Sequence, residues 1–260
     1  MSTTTRTVAV LAASVFMAGT IASGSALAAD TSTAAGPLSN TDVGAIKAAN
    51  DPAPFSSADI SKARSESAAK DSALGLGGGT SALAAVPTSA YLTDNHVAQA
   101  YNNYCGPATA RMTLLHQGAN VSQATLASRF GISPNNGGTS WDAMLSALKY
   151  YGTPAYAGAF LAYSPSAADK STYKSRMKTD IATTKDSLAG NVWEVVGGPH
   201  LAGHPNKEIF HWVNIRGYKE SGTYSQVQDP ATSVWSGVPA NSPVGSDKLV
   251  TMMGGRGYQW

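Results

Sequence analysis

The five tryptophans, Trp141, Trp193, Trp212, Trp235 and Trp260, all fall in the second half of the 260-residue chain. Aromatic side chains dominate the apolar area that a fold can bury, so their placement limits where a core can be built. Residues 30–86 hold one aromatic, Phe55, among Ala, Ser, Thr and Gly, with four basic and six acidic groups. A segment of that composition buries too little apolar surface to offset its ordering entropy. It reads as a disordered low-complexity linker or pro-segment, with weak helix signals around 41–49 and 57–72, where Ala and Lys favour them. The texture changes at Val86, and residues 87–260 are long enough for one sizeable core.

Residues 1–29 read as a secretory signal peptide: Arg6 is their only charge, an apolar stretch runs from Val8 to about Ile21, and Ala26-Leu27-Ala28 supplies a small-x-small cleavage pattern. The apolar stretch is shorter than the roughly 18 residues a membrane span needs. The expectation is a secreted protein with no stable membrane insertion once the signal is removed. Lys and Arg number 18 and Asp and Glu 16, a net charge of +2. That balance argues against a nucleic-acid partner.

A single cysteine, Cys105, excludes an internal disulfide framework and a thiolate zinc cluster. In an exported chain a lone cysteine is an interchain bridge, a buried inert thiol or a reactive group, so its surroundings decide. Cys105-Gly106-Pro107 opens a helical run through Gln117, with proline in the first turn and Gly118 as the stop. Ser122 caps a second helix ending at Gly131. Thr139 or Ser140 caps a third, with Trp141, Met144, Leu145 and Leu148 on one face. A fourth, more polar helix is expected from about Ser166 to Leu188. Strands follow at Val192–Val196, Phe210–Tyr218 and Tyr224–Gln228, the last two joined by a turn at Glu220-Ser221-Gly222. Helices first and an antiparallel sheet second is an α+β order.

A helix start favours a thiolate, because its free N–H groups carry partial positive charge. Gly106, without a side chain, offers a close approach to a substrate carbonyl. A thiolate nucleophile needs a base, and of the five histidines His211 is the one inside a strand. His200 and His204 stand in the Gly/Pro loop before that strand; their spacing with His211 fits no compact zinc pattern, and neither metal nor cofactor is expected. Asp229 ends the next strand, so one hairpin brings it toward His211 as an orienting acceptor. Gln99, six residues before Cys105, is the candidate oxyanion donor together with the backbone N–H of Cys105, with Asn102 or Asn103 as substitutes.

Gln99-x5-Cys105-Gly106-Pro107-Ala108, His211-Trp212 and Asp229-Pro230-Ala231 together resemble the papain-like cysteine peptidases that process double-glycine leaders of bacteriocins. This is family thirty-nine of the cysteine peptidases, and the likeness is greatest to its stand-alone branch. Val86-Pro87, Asn120-Val121-Ser122-Gln123 and Gly138-Thr139-Ser140 are similar to that branch too, so the resemblance spans roughly 86–235. It implies a papain-like fold, a peptide or protein substrate, Cys105 as nucleophile, His211 as base, Asp229 as orienter and Gln99 as oxyanion donor. Leader peptidases of the family are usually fused to a transporter on the cytoplasmic side, whereas this chain carries an export signal.

The same residues suit a cell-wall amidase or transpeptidase, because fold and triad do not fix the acyl acceptor. A non-catalytic binding module is the third reading, provided Tyr150, Tyr151, Tyr156 and Trp235 face outward. The glycines at 77–79 read first as a plain flexible spacer, with a pro-segment removed by the domain itself as the alternative.

Overall fold

A computed structural model describes residues 38–51, 55–76 and 86–260. The expected signal at 1–29 and the glycines at 77–79 lie outside the described residues. Three helices come first in the main body: α3 (Cys105–His116), α4 (Gln123–Phe130) and α5 (Trp141–Tyr151). Their boundaries follow local chemistry. The Ser122 side chain accepts from the Thr125 N–H and Gly131 closes α4 at φ 68, while Ser140 accepts from the Ala143 N–H to start α5.

The helix α6 (Ala167–Thr179) opens with a capping box, Ser166 and Asp169 bonding reciprocally. It is shorter than the run to Leu188 that the composition suggests. The chain widens into a π turn over Asp180–Thr184 and breaks at Lys185, whose φ of 63 is left-handed. That break frees Leu188–Glu194 to form β3, which begins four residues before the expected strand.

The described residues build a seven-stranded antiparallel sheet. Besides β3 it contains β1 (Ala90–Tyr91), β2 (Gly158–Phe160), β4 (Ile209–Lys219), β5 (Tyr224–Gln228), β6 (Asn241–Gly245) and β7 (Gly257–Gln259). The order is β2-β7-β3-β4-β5-β6, with β1 on β4. Against one face, which carries Ala189 and Trp212, pack Leu114, Leu126, Met144 and Leu148 of α3–α5. Against the other, which carries Val213 and Ile215, pack Tyr173 and Met177 of α6 and Leu249 and Met253 of α7 (Ser246–Met253). The α+β class holds, helical half first, as the sequence implies.

Residues 30–86 are the main correction. Their described parts are not a disordered tether: α1 (Asn40–Asn50) and α2 (Ser57–Ala73) are capped helices docked on the body. Lys47 is wholly buried and donates to the carbonyls of Thr251, Met252 and Gly254 at 2.9, 2.9 and 3.0 Å, closing the C-terminal end of α7. Ser67 donates to Gly158 O and accepts from Trp260 Nε1. Phe55 packs on Phe160 and Trp141, at centroid distances of 4.1 and 5.6 Å. Composition missed this because the docking groups are a few polar heads whose partners lie more than 90 residues away. No helix among the described residues is long and apolar enough to cross a membrane.

Candidate active site

Cys105 is the first residue of α3, so its backbone N–H has no partner within the helix. Burial pushes its thiol pKa up, but a hydrogen bond with His211, that residue's charge, and the backbone N–H groups of Trp212 and Gly106 outweigh it and hold the thiol below its ordinary value. The thiol thus gains more from its neighbours than from the helix end alone. Gly106 serves differently from the expectation. A Cβ there would collide with the Thr139 side chain, so the space it leaves is filled by protein rather than open to substrate.

His211 lies on β4 and is buried. Its Nε2 is 2.9 Å from Asp229 Oδ1, which leaves Nδ1 as the ring nitrogen for Cys105. Burial pushes its pKa down, but Asp229 and the thiolate reverse this and drive it up to about 10. Both shifts favour the thiolate–imidazolium form of the Cys105–His211 pair. Burial opposes ionisation of Asp229, yet His211 and His204 hold its carboxyl well below the usual carboxylate range. Asp229 Oδ1 also accepts from the Ala231 N–H at 2.8 Å, the first turn after the Asp229-Pro230 step.

One irregularity makes this pair meet. Asn214 faces Gln228 and Ile215 faces Val227, but Gly217 faces Gln226, so Arg216 is an extra residue on β4. Extending the register one residue past Gln228 sets Asp229 opposite Val213, on the face that also carries His211. Without the bulge Asp229 would stand opposite Asn214 and point through the sheet to the other side.

Gln99 is buried beside this group, its main chain sewn to the Asp229 turn: its N–H donates to Pro230 O and its carbonyl accepts from Ser233 Oγ. Its Nε2 donates to the carbonyls of Tyr101 and Asn102 at 2.9 and 2.8 Å, so both amide hydrogens are engaged within their own loop. Asn103 Nδ2 is likewise engaged, with the carbonyls of Ser133, Asn136 and Gly137. A cleft of about 330 Å³ opens over Cys105 and His211, walled by Trp141, Trp212, Phe55 and Asn191. Of the four aromatics whose exposure a binding surface needs, Tyr150 is the one that is fully exposed, while Tyr156 is buried in the core.

Two residues of the site, His204 and Glu194, were given no role in it from the sequence. His204 sits with one ring nitrogen 2.9 Å from Asp229 Oδ2 and the other against Glu194, which is completely buried at the end of β3. A buried glutamate followed by two histidines at positions 200 and 204 was the available signal. His204, His211 and Asp229 bring ligand-type atoms within 4.8 Å of one another, but the nitrogens are already hydrogen-bonded to the carboxylate.

A helix-borne thiol facing a strand-borne imidazole and a carboxylate just past the next strand, in an α+β frame, defines a site of the cysteine-peptidase-like class. The family model described as Peptidase_C39 like family matches residues 91–245, and the chain belongs to that family. Among solved structures the chain is similar to the peptidase domain of Streptococcus ComA, a bi-functional ABC transporter involved in quorum sensing. The two share 16% identity over 63% of this chain and 93% of that one, at a TM-score of 0.40. It is also similar to a C39-like peptidase from Bacillus anthracis, with 13% identity over 65% and 96% of the two chains and a TM-score of 0.42. A digestive procathepsin L 3 of Tenebrio molitor larval midgut shares 13% identity over 70% and 71%, with a TM-score of 0.43. No curated protein matches the chain.

Proposed function

We propose that the chain is an exported cysteine peptidase that cleaves peptide bonds through an acyl-enzyme on Cys105. The observation that carries this reading is His211, buried with one nitrogen on Asp229 and the other available to the Cys105 thiol. Cys105 Sγ attacks the scissile carbonyl carbon, and the negative charge moves to the carbonyl oxygen. The backbone N–H of Cys105 is placed at the helix start to receive that oxyanion. Gln99 joins it by giving up one of its two carbonyl bonds. As the tetrahedral adduct collapses, the C–N bond breaks and His211 Nδ1–H protonates the departing amine. His211, now neutral, takes a proton from water; the hydroxide adds to the thioester, the C–S bond breaks, and the acid and thiolate are released. Asp229 keeps the ring oriented and stabilises its protonated form. The aromatic cleft walls suit an extended peptide with apolar side chains.

The test is hydrolysis of a peptide library by the full-length chain, with Cys105→Ala and His211→Ala as controls. Both variants should lose activity by about a thousandfold or more with unchanged circular dichroism. Hydrolysis that survives Cys105→Ala overturns the proposal. Activity should fall on the acid side as the thiolate takes up a proton, and again near pH 10 as the imidazolium loses one. Export by residues 1–29 predicts a secreted form whose N-terminus lies just after Ala28 or Ala29.

A further inference from the structure

Glu194, His204, Asp229, His211 and Cys105 form one continuous line of polar groups, of which only the last three serve the reaction proposed above. His204 Nδ1 lies 3.0 and 3.1 Å from the two oxygens of Glu194, and its Nε2 lies 2.9 Å from Asp229 Oδ2. The side chains of His204 and Glu194 are fully out of solvent. The ring is further walled by Trp235, edge-on at 4.7 Å between centroids, and by His211 at 5.3 Å.

The hydrogen bonds fix the charge of this ring. An ionised carboxylate only accepts, and a neutral imidazole has one N–H to give. Glu194 acts as an acceptor elsewhere, from the Leu201 N–H at 2.9 Å, and Asp229 accepts from the Ala231 N–H and from His211. With both carboxylates ionised, a ring that hydrogen-bonds to both at once carries a proton on each nitrogen. The pKa of His204 agrees: burial pushes it down, but bonds to Asp229 and Glu194 outweigh that and leave it above its ordinary value.

Resting on the peptidase reading, we propose that His204, held as a cation between Glu194 and Asp229, is a positioning residue that sets the ionisation of the Cys105–His211 pair. It anchors Asp229 Oδ2, so that Oδ1 is turned to His211. Its charge also partly offsets that of Asp229, which loosens the hold of Asp229 on the His211 proton and favours the thiolate beyond it. The groups facing this line are Glu194 on β3, His200 at 2.7 Å from Glu194, Lys207 over Trp235, Lys47 of α1 toward Glu194, and His96, whose Nε2 meets Asp229 O.

The sign of the effect separates charge tuning from simple support. Removing a positive charge here makes the thiol harder to ionise and the imidazolium harder to deprotonate, so both limbs of the pair's titration move to higher pH. Cys105 is the sole cysteine, so its rate of reaction with iodoacetamide reads the thiolate without any hydrolysis assay. In His204→Gln the acid limb of the rate–pH profile should move up by about one unit, making alkylation roughly tenfold slower at a pH on that limb. Glu194→Gln, which releases the second proton of His204 along with the carboxylate charge, should move it the same way by less. In the unaltered full-length chain, ¹⁵N-histidine NMR should show both His204 nitrogens protonated at pH 7.

A His204 ring with a single proton at pH 7 overturns the proposal whether or not the variants fold. So does a variant that alkylates with lower amplitude or melts earlier but keeps both limbs in place. The peptidase reading fails on a different result, a wild-type chain whose Cys105 alkylates as a thiolate at neutral pH yet hydrolyses no peptide.

Discussion

Helix α5 meets the core with Trp141, Met144, Ala147 and Leu148, whereas α1 buries Val43, Gly44 and Lys47, and α2 buries only Ala63 and Ser67. Helices of comparable length thus hold to one body by different physics. Attachment of α5 is by apolar area, which is non-directional and survives small shifts. The N-terminal helices attach at polar points: Lys47 on three carbonyls, Ser67 between Gly158 and Trp260, Lys70 on Asp180 at 3.0 Å, Asp71 on Arg176, and Asp51 on Arg256. Such contacts contribute modestly when made, but losing one partner is expensive, because the other is left buried and unpaired. The arm should therefore be sensitive to single substitutions and to pH in a way the body's helices are not.

The largest break in this comparison should come from Lys70→Met. Its partner Asp180 is fully buried, and removing one member of a buried pair costs about 3–5 kcal/mol. Burial already raises the Asp180 pKa to about 6, against the pull of Lys70. A carboxyl with a raised folded-state pKa adds stability below its unfolded value near 4, and that contribution is lost as pH rises through about 6. The Lys70→Met penalty, measured by urea unfolding, should consequently be larger at pH 8 than at pH 5. Equal penalties at the two values would show that the pair is not what holds α2.

Gly106→Ala probes the body instead. Its added methyl meets Thr139, and overpacking of that kind costs about 1–3 kcal/mol. It should also slow Cys105 alkylation by displacing the start of α3, with no change in hydrogen exchange of α1 and α2. Phe55→Ala, at the cleft wall between the two regions, should have the smallest effect on stability, about 1 kcal/mol. It should speed alkylation of Cys105 by a bulky maleimide more than by iodoacetamide; an equal change for both would mean that Phe55 does not limit access.

What the sequence made legible follows the same division. The caps Ser122, Ser140 and Ser166, the Cys105-Gly106-Pro107 opening and the Glu220–Gly222 turn are local signals, and each marks a real boundary. Cys105, His211 and Asp229 are brought together by α3, β4 and the end of β5, whose order was readable. Helix α7 escaped because Gly245 gives it no side-chain cap and six of its eight residues are buried, including Leu249, Val250, Met252 and Met253. His204 escaped because its partners Glu194 and Asp229 are set by the path of a loop, and no spacing rule carries that path. The arm escaped because its anchors are ordinary lysines and serines until the body supplies their partners.

The extra residue at Arg216 makes the site depend on parity. His211 and Asp229 are eighteen residues apart along a hairpin, and only an odd adjustment between them lands both side chains together. The Glu220–Gly222 tip can lengthen or change composition over evolutionary time without touching this count, provided the strands keep their pairing. A register that ran straight from the tip pairs through Arg216, setting Asn214 opposite Asp229, would leave the sheet and every catalytic residue type in place and would still disconnect the histidine from its carboxylate. A chain of this family can therefore retain the full set of motif letters and be silent, so an alignment that scores letters without the strand register will misjudge which relatives are active.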